Sequence, residues 1–167
     1  LECLQKGMIN NVTLSAYLER IRSNEFDAKD YNQLCDILVR KFQNMYLKTS
    51  FSHGDLAPWN IRCCNEGIVL VDFEYSDNNR FLYHDAISFL CTQYFHRKFF
   101  FLSKSNKKNI LENAITQVLE FSNHNKEEVI LFMVLWCLET RTLAHASLKH
   151  EFLKIMLNQI GVRWREY

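Results

Sequence analysis

The stretches that decide the fold are 53-HGDLAPWN-60 and 71-VDFE-74. Three of their oxygen-bearing side chains have a kinase-like spacing: Asp55 and Asn60 in the first, and Asp72 at the end of an apolar run in the second. In phosphoryl transfer, one Asp orients the acceptor hydroxyl and takes its proton, while an Asn and a second Asp hold Mg²⁺ against the ATP phosphates. We therefore predict Asp55 as the catalytic residue, Asn60 and Asp72 as metal ligands, and Mg²⁺ and ATP as cofactors.

The spacing of these residues follows the protein-kinase pattern H-R-D-L-x-x-x-N and D-F-G. It departs from that pattern at Gly54, where Arg would stand, and at Glu74, where Gly would stand. With these departures, segment 51–90 resembles the aminoglycoside phosphotransferase and choline kinase superfamily, the small-molecule branch of the kinase fold. The resemblance implies transfer of the γ-phosphoryl group of ATP to a small-molecule hydroxyl.

The acceptor stays open between several classes of alcohol. The stretch 72-DFEYSDNNRFLYHD-85 is most similar to choline and ethanolamine kinases, whereas HGDLxPxN is more similar to bacterial sugar and antibiotic kinases. The expected acceptor is therefore a sugar, an aminoglycoside, choline or ethanolamine.

Further residues receive supporting roles around the three principal ones. The resemblance implies that His53 braces the catalytic loop and that Asp85 holds this loop from below. Glu74 has two interpretations: an outer partner of the metal site, or an ion pair with Arg80, which we favour. Val71 is a candidate nucleotide contact on the floor of an adenine pocket.

The predicted fold is rich in helix, because only four Gly and one Pro occur in the chain. Strands at 61–64 and 68–73 flank the turn Asn65-Glu66-Gly67 and predict a β-hairpin with Asn60 and Asp72 at its base. The catalytic loop is assigned to 51–62 and the metal-binding hairpin to 61–74. Apolar periodicity predicts helical segments over 12–22, 31–48, 83–101, 107–122, 126–148 and 150–160, so that 83–160 forms a helical subdomain.

The predicted class is α+β and predominantly α, with one domain over residues 1–167 that resembles the C-terminal lobe of this kinase superfamily. The family's N-terminal lobe carries the Lys that grips ATP, and no segment before residue 30 has that pattern. We therefore expect an excised domain or a truncated product, with the N-lobe missing or elsewhere in cis. The alternative function is a truncated, non-catalytic kinase-fold module. A metal-dependent protein kinase is a weaker third hypothesis, since no Ala-Pro-Glu motif follows Asp72.

Charge and composition argue against nucleic acid and membrane as partners. The net charge is +1, and the short basic cluster at 104–108 is interpreted as a solvated loop. No apolar run approaches the roughly 20 residues that span a bilayer. The six cysteines have no C-x-x-C spacing, which favours reduced thiols and a cytoplasmic location.

Aromatic and acidic residues of the helical tail could bind a quaternary ammonium by cation–π contact. Aromatic residues at helical spacing are more often core residues, and we favour that interpretation. The residues concerned are Tyr94, Phe95, Trp136, Glu139 and Trp164. His84 is assigned no role.

Overall fold

The first half of the chain forms two small sheets and the second half forms four helices. The computed structural model describes residues 9–22, 28–95, 102–140 and 146–163. The first half contains β1 (Asn10–Thr13), α1 (Leu14–Arg20), α2 (Ala28–Lys41), β2 (Tyr46–Ser52), β3 (Ile61–Cys64), β4 (Gly67–Leu70) and β5 (Asp77–Phe81). The second half contains α3 (His84–Phe95), α4 (Lys104–Phe121), α5 (Lys126–Glu139) and α6 (Ala146–Gln159). The predicted α+β class with predominant helix is confirmed.

Strand β2 is the centre of a three-stranded antiparallel sheet with the order β1-β2-β5. Thr49 pairs with Asn10 on one side and with Phe81 on the other. The register with β5 is irregular between Ser50 and Ser52, at the point where β2 leaves the sheet. Since a bulge bends its strand, this irregularity turns the chain out of the sheet immediately before the HGD segment.

The predicted hairpin is confirmed as β3 and β4, which pair from Ile61–Leu70 to Cys64–Gly67. Gly67 has φ 130°, a conformation that residues with a Cβ rarely adopt. The second strand ends at Leu70 and not at residue 73, as predicted. Asp72 therefore follows the strand and has a left-handed backbone with φ 70°.

Two predicted helical segments have the wrong boundaries. Helix α2 ends at Lys41, and residues 46–52 form the central strand. Leu47 and Thr49 are buried while Tyr46 and Lys48 are exposed, which is the two-residue period of a strand. The predicted helix was too long because apolar residues at helical spacing occur up to Met45. That residue lies beyond the end of α2 and beyond the turn that contains Asn44, whose φ is 61°. Residues 10–13 likewise form β1, and Thr13 caps α1 by accepting from the Ala16 N–H at 3.3 Å.

The basic cluster at 104–108 is the first turn of helix α4 and not a loop. Ser103 caps this helix by accepting from the Asn106 N–H at 3.3 Å. Lys107 is buried and pairs with Glu151 of α6 at 3.0 Å. The predicted helices 83–101 and 126–148 include residues 96–101 and 141–145, which lie outside the described residues. Helix α5 ends at Glu139.

Helix α5 is the centre of the core. Every residue from Val129 to Leu138 is buried, and α3, α4 and α6 pack around the helix. Phe81 of β5 stacks on Phe132 of α5 at 5.6 Å between ring centroids, which joins the sheet to the helices. Trp136 belongs to this core, as favoured, whereas the side chains of Tyr94, Phe95 and Trp164 lie outside the described residues.

The described cysteines are free thiols, and Cys3 lies outside the described residues. None of the described helices combines the length and the apolar character that a membrane crossing requires.

Candidate functional site

The candidate site lies where the chain leaves β2; one hydrogen bond closes its first sequence segment and two join that segment to the second. The Asn60 side-chain amide donates to the Asp55 carbonyl at 2.9 Å. The Val71 N–H donates to the Asn60 carbonyl at 3.0 Å. His53 Nε2 lies 2.8 Å from the Val71 carbonyl and, because a carbonyl only accepts, this nitrogen is the donor. The structure thus brings HGDLAPWN and the segment that begins at Val71 together.

Asp85, in the first turn of α3, holds the loop from the side of the helices. Its carboxylate accepts from the Ser52 hydroxyl at 2.7 Å, the His53 N–H at 2.7 Å and the Gly54 N–H at 3.0 Å. Burial alone would raise the pKa of Asp85, but hydrogen bonds from His84, Ser52 and Gly54 lower it to about 2. The charged carboxylate is thereby fixed beneath the loop.

His53 is buried between the loop and the segment that follows the hairpin. Its ring lies 4.4 Å from the Phe73 ring, and Phe73 also stacks on Phe51 with the centroids 6.4 Å apart. Nδ1 of His53 has no hydrogen-bond partner among the described residues. The contacts made by the imidazole therefore run to Val71 and Phe73, and they connect the two segments of the site.

Position 54 requires glycine because of its backbone conformation and because of the atoms that surround it. Its φ is 89°, and a Cβ at this position would collide with Nη1 of Arg80 and with the Tyr75 carbonyl. A side chain at position 54 is therefore excluded, which explains why this chain has Gly where the protein-kinase pattern has Arg.

The favoured ion pair between Glu74 and Arg80 is wrong. Arg80 Nε instead donates to Glu139 Oε1 at 2.9 Å, and the Tyr17 hydroxyl donates to the other oxygen of Glu139 at 2.7 Å. Glu139 is nearly buried at the end of α5, whereas Glu74 is exposed. A buried carboxylate has lost its water and offers the arginine the stronger interaction. Glu74 retains its other interpretation, as an outer partner of the metal site.

The carboxylates of the site influence one another. Partial burial raises the pKa of Asp55, the nearby His53 lowers it, and the charges of Asp72 and Glu74 raise it further. Arg80 opposes that increase. Asp55, Asp72 and Glu74 therefore lie close enough to form one region of negative potential, in which a cation would relieve their repulsion.

Asn60 and Asp72 are the two residues predicted as Mg²⁺ ligands. Nδ2 of Asn60 is used by the Asp55 carbonyl, and no described residue donates a hydrogen bond to the Oδ1 of Asn60. Asp72 has a left-handed backbone, a conformation that clusters at functional sites. The described residues contain no group of three or more His, Cys, Asp and Glu suited to a metal. Mg²⁺ is commonly bound by one or two protein carboxylates, with water and phosphate completing its shell.

His84 was assigned no role from the sequence, and Glu139 was considered only for a quaternary ammonium site, but both lie beside the residues that hold the loop. His84 is buried, with Nδ1 3.2 Å from the Ser52 hydroxyl and Nε2 3.9 Å from Glu139. It lies between the carboxylates of Asp85 and Glu139. A sequence signal existed only for Glu139, the one acid that follows the uninterrupted apolar run of α5.

A cavity of about 270 Å³ opens beside the catalytic loop. Its lining includes Gly54, Glu74 and Ser76 together with Arg20 and Arg22. It is close in size to small-ligand pockets. Val71, the candidate nucleotide contact, does not line this cavity and is half-buried next to Asn60.

Comparison of the chain with family models, with curated proteins and with solved structures gives no match.

Proposed function

We propose that this chain is the kinase-like C-terminal lobe of a small-molecule kinase, which transfers the γ-phosphoryl group of ATP to an alcohol. The observation that carries the proposal is the convergence of Asp55, Asn60 and Asp72 at the exit of β2. Asn60 donates to the Asp55 carbonyl and accepts from the Val71 N–H, Val71 directly precedes Asp72, and the charge of Asp72 raises the pKa of Asp55. The sequence resemblance of segment 51–90 supports the same assignment.

Asp55 is the proposed acceptor of the hydroxyl proton. Partial burial raises the pKa of its carboxyl group, and a carboxylate with a higher pKa is a stronger proton acceptor. It follows Gly54, which lines the cavity beside the loop. Asp55 itself is not among the residues that line this cavity.

Asn60 and Asp72 would hold Mg²⁺, which when bound neutralises the charge of the ATP phosphates. The chain's own contribution is to preposition these oxygens before the nucleotide arrives. The Val71 N–H to Asn60 carbonyl bond sets the distance between the two ligand-bearing segments. Such preorganisation lowers the reorganisation required during the reaction.

His53 and Asp85 act by positioning the loop. Three donors of residues 52–54 meet the Asp85 carboxylate, and the His53 ring joins the loop to Val71. Displacement of a reacting group by about 1 Å can reduce the rate by about 10²-fold, so these contacts matter for turnover.

The acceptor class remains the four alcohols that the resemblance implies. Trp136, one of the aromatic residues considered for a quaternary ammonium site, is part of the core. Glu139 is engaged by Arg80 and Tyr17. Neither residue is available to bind choline, so the favoured test panel begins with sugars and aminoglycosides and includes choline and ethanolamine.

The decisive experiment measures Mg²⁺-dependent ADP release by the full-length protein with each acceptor. We expect one class to stimulate release and Asp55→Asn to reduce kcat by about 10²–10⁴-fold with ATP binding retained, since a positioned base contributes that much. Asp36→Asn is the matched control, because Asp36 is exposed on α2. If Asp55→Asn keeps more than about a tenth of kcat, Asp55 is not the base. ATP binding without turnover on any acceptor would favour the non-catalytic module.

A further inference from the structure

A buried ion pair connects the end of helix α5 to the catalytic loop. Glu139 accepts from Tyr17 of α1 at 2.7 Å and from Arg80 of β5 at 2.9 Å, and Arg20 lies 3.5 Å from it. The exposed fractions of the Glu139 and Arg80 side chains are 8% and 12%. The cation is thus fixed by a carboxylate from a different part of the chain.

The other end of the Arg80 side chain packs against Gly54. Nη1 of Arg80 is buried without a hydrogen-bond partner among the described residues. It occupies the volume that a Cβ on Gly54 would take. A buried donor without a partner is destabilising, so its placement needs a compensating role. The geometry indicates that role, because the Arg80 guanidinium group packs directly against the turn at Gly54.

The turn at Gly54 is therefore held from two directions. Asp85 accepts the Gly54 N–H at 3.0 Å, and the Arg80 guanidinium and the Tyr75 carbonyl border the opposite space. Asp55 is the next residue, so the backbone of Gly54 determines the direction of its side chain.

We infer that Arg80, anchored by Glu139, is a positioning residue that holds the Gly54 turn and thereby orients Asp55. The inference rests on the proposed function, in which the orientation of Asp55 determines turnover. Arginine suits this role better than lysine. Its guanidinium presents Nε to Glu139 while Nη1 reaches Gly54, whereas lysine has a single nitrogen for both tasks.

The first test is the kinetics of Arg80→Lys, which retains the charge. We expect kcat to fall about 10²-fold, as for a misplaced reacting group, with KM for ATP unchanged. The matched control is Lys107→Gln, which breaks the Lys107–Glu151 pair between α4 and α6. The Lys107 side chain is 11% exposed, close to the 12% of Arg80. We expect the control to lose stability while keeping wild-type kcat.

The second test does not depend on activity. Amide hydrogen exchange of the peptide that contains residues 53–55 should become faster in Arg80→Lys and stay unchanged in Lys107→Gln. If the wild-type protein transfers no phosphoryl group, the proposed function fails, but the exchange measurement still decides whether Arg80 holds the turn. Wild-type exchange at 53–55 in a folded Arg80→Lys protein would overturn the inference.

A third variant tests the anchor and keeps the inference falsifiable if Arg80→Lys does not fold. Glu139→Gln retains an oxygen for Arg80 Nε but removes the charge, so we expect a smaller loss of kcat and a smaller rise in exchange. Because both residues act through one contact, the double variant should be no worse than Arg80→Lys alone. Additive losses in the double variant would show that Glu139 does not act through Arg80.

Discussion

Replacing Asp85 with Asn should reduce the free energy of unfolding by about 2–4 kcal/mol at neutral pH. The pKa of Asp85 is lowered from 3.8 to about 2. One pKa unit corresponds to about 1.4 kcal/mol, so ionisation of this carboxyl group contributes roughly 2.5 kcal/mol. Asn keeps one oxygen and introduces an NH₂ group. One of the Ser52, His53 and Gly54 donors then loses its acceptor, which costs about 1–3 kcal/mol.

The pH dependence of this difference follows from the direction of the pKa shift. The folded-state pKa of Asp85 lies below its unfolded value, so its contribution to stability is fully present above the unfolded pKa. It is lost as the pH falls from 3.8 towards about 2. The difference between wild type and Asp85→Asn should therefore be constant at neutral and mildly acidic pH and shrink under stronger acid.

Urea unfolding followed by circular dichroism, repeated at pH 7, 5, 4 and about 3, measures this difference across the window in which the carboxyl titrates. Asp36→Asn is the control, since Asp36 is exposed and substitution there should change stability by less than about 0.5 kcal/mol. A difference for Asp85→Asn that is as small as the control, or that does not shrink in acid, would refute the role assigned to its hydrogen bonds.

Two further predictions concern the glycine turn and the metal ligands. Gly54→Ala should lower the free energy of unfolding by more than about 2 kcal/mol, because left-handed backbone alone costs about 1–2 kcal/mol and the new Cβ has no space. Gly67→Ala, where φ is 130° but a Cβ meets no atom within 4 Å, is the control in the same urea assay. Equal losses would contradict the close packing at Gly54. Asp72→Ala should raise the Mg²⁺ concentration needed for half-maximal ADP release more than Asn60→Ala does, because a carboxylate carries a full charge and an amide only a dipole. A wild-type Mg²⁺ dependence in Asp72→Ala would remove it from the ligand set.

The sequence by itself determined those features that depend on residues close together in the chain. The turn Asn65-Glu66-Gly67 between two apolar runs predicted the hairpin, because turn chemistry is local. That hairpin returns the chain to its starting point, so Asn60 and Val71 come together. Apolar periodicity also placed the centres of α3 to α6, since each helix buries one face or more.

Only the tertiary structure decided the features that depend on distant partners. Helical spacing up to Met45 extended the predicted helix to residue 48, yet residues 46–52 pair with β1 and β5 and become the central strand. Arg80 has an acid nearby in sequence at Glu74 but binds Glu139, 59 positions away. His84 has no motif, and it acquires its contacts because β2 and α5 bring Ser52 and Glu139 to its two ring nitrogens. Burial determines these partners, because a charged group or a strand pairs with the group that the packing of the whole chain places beside it.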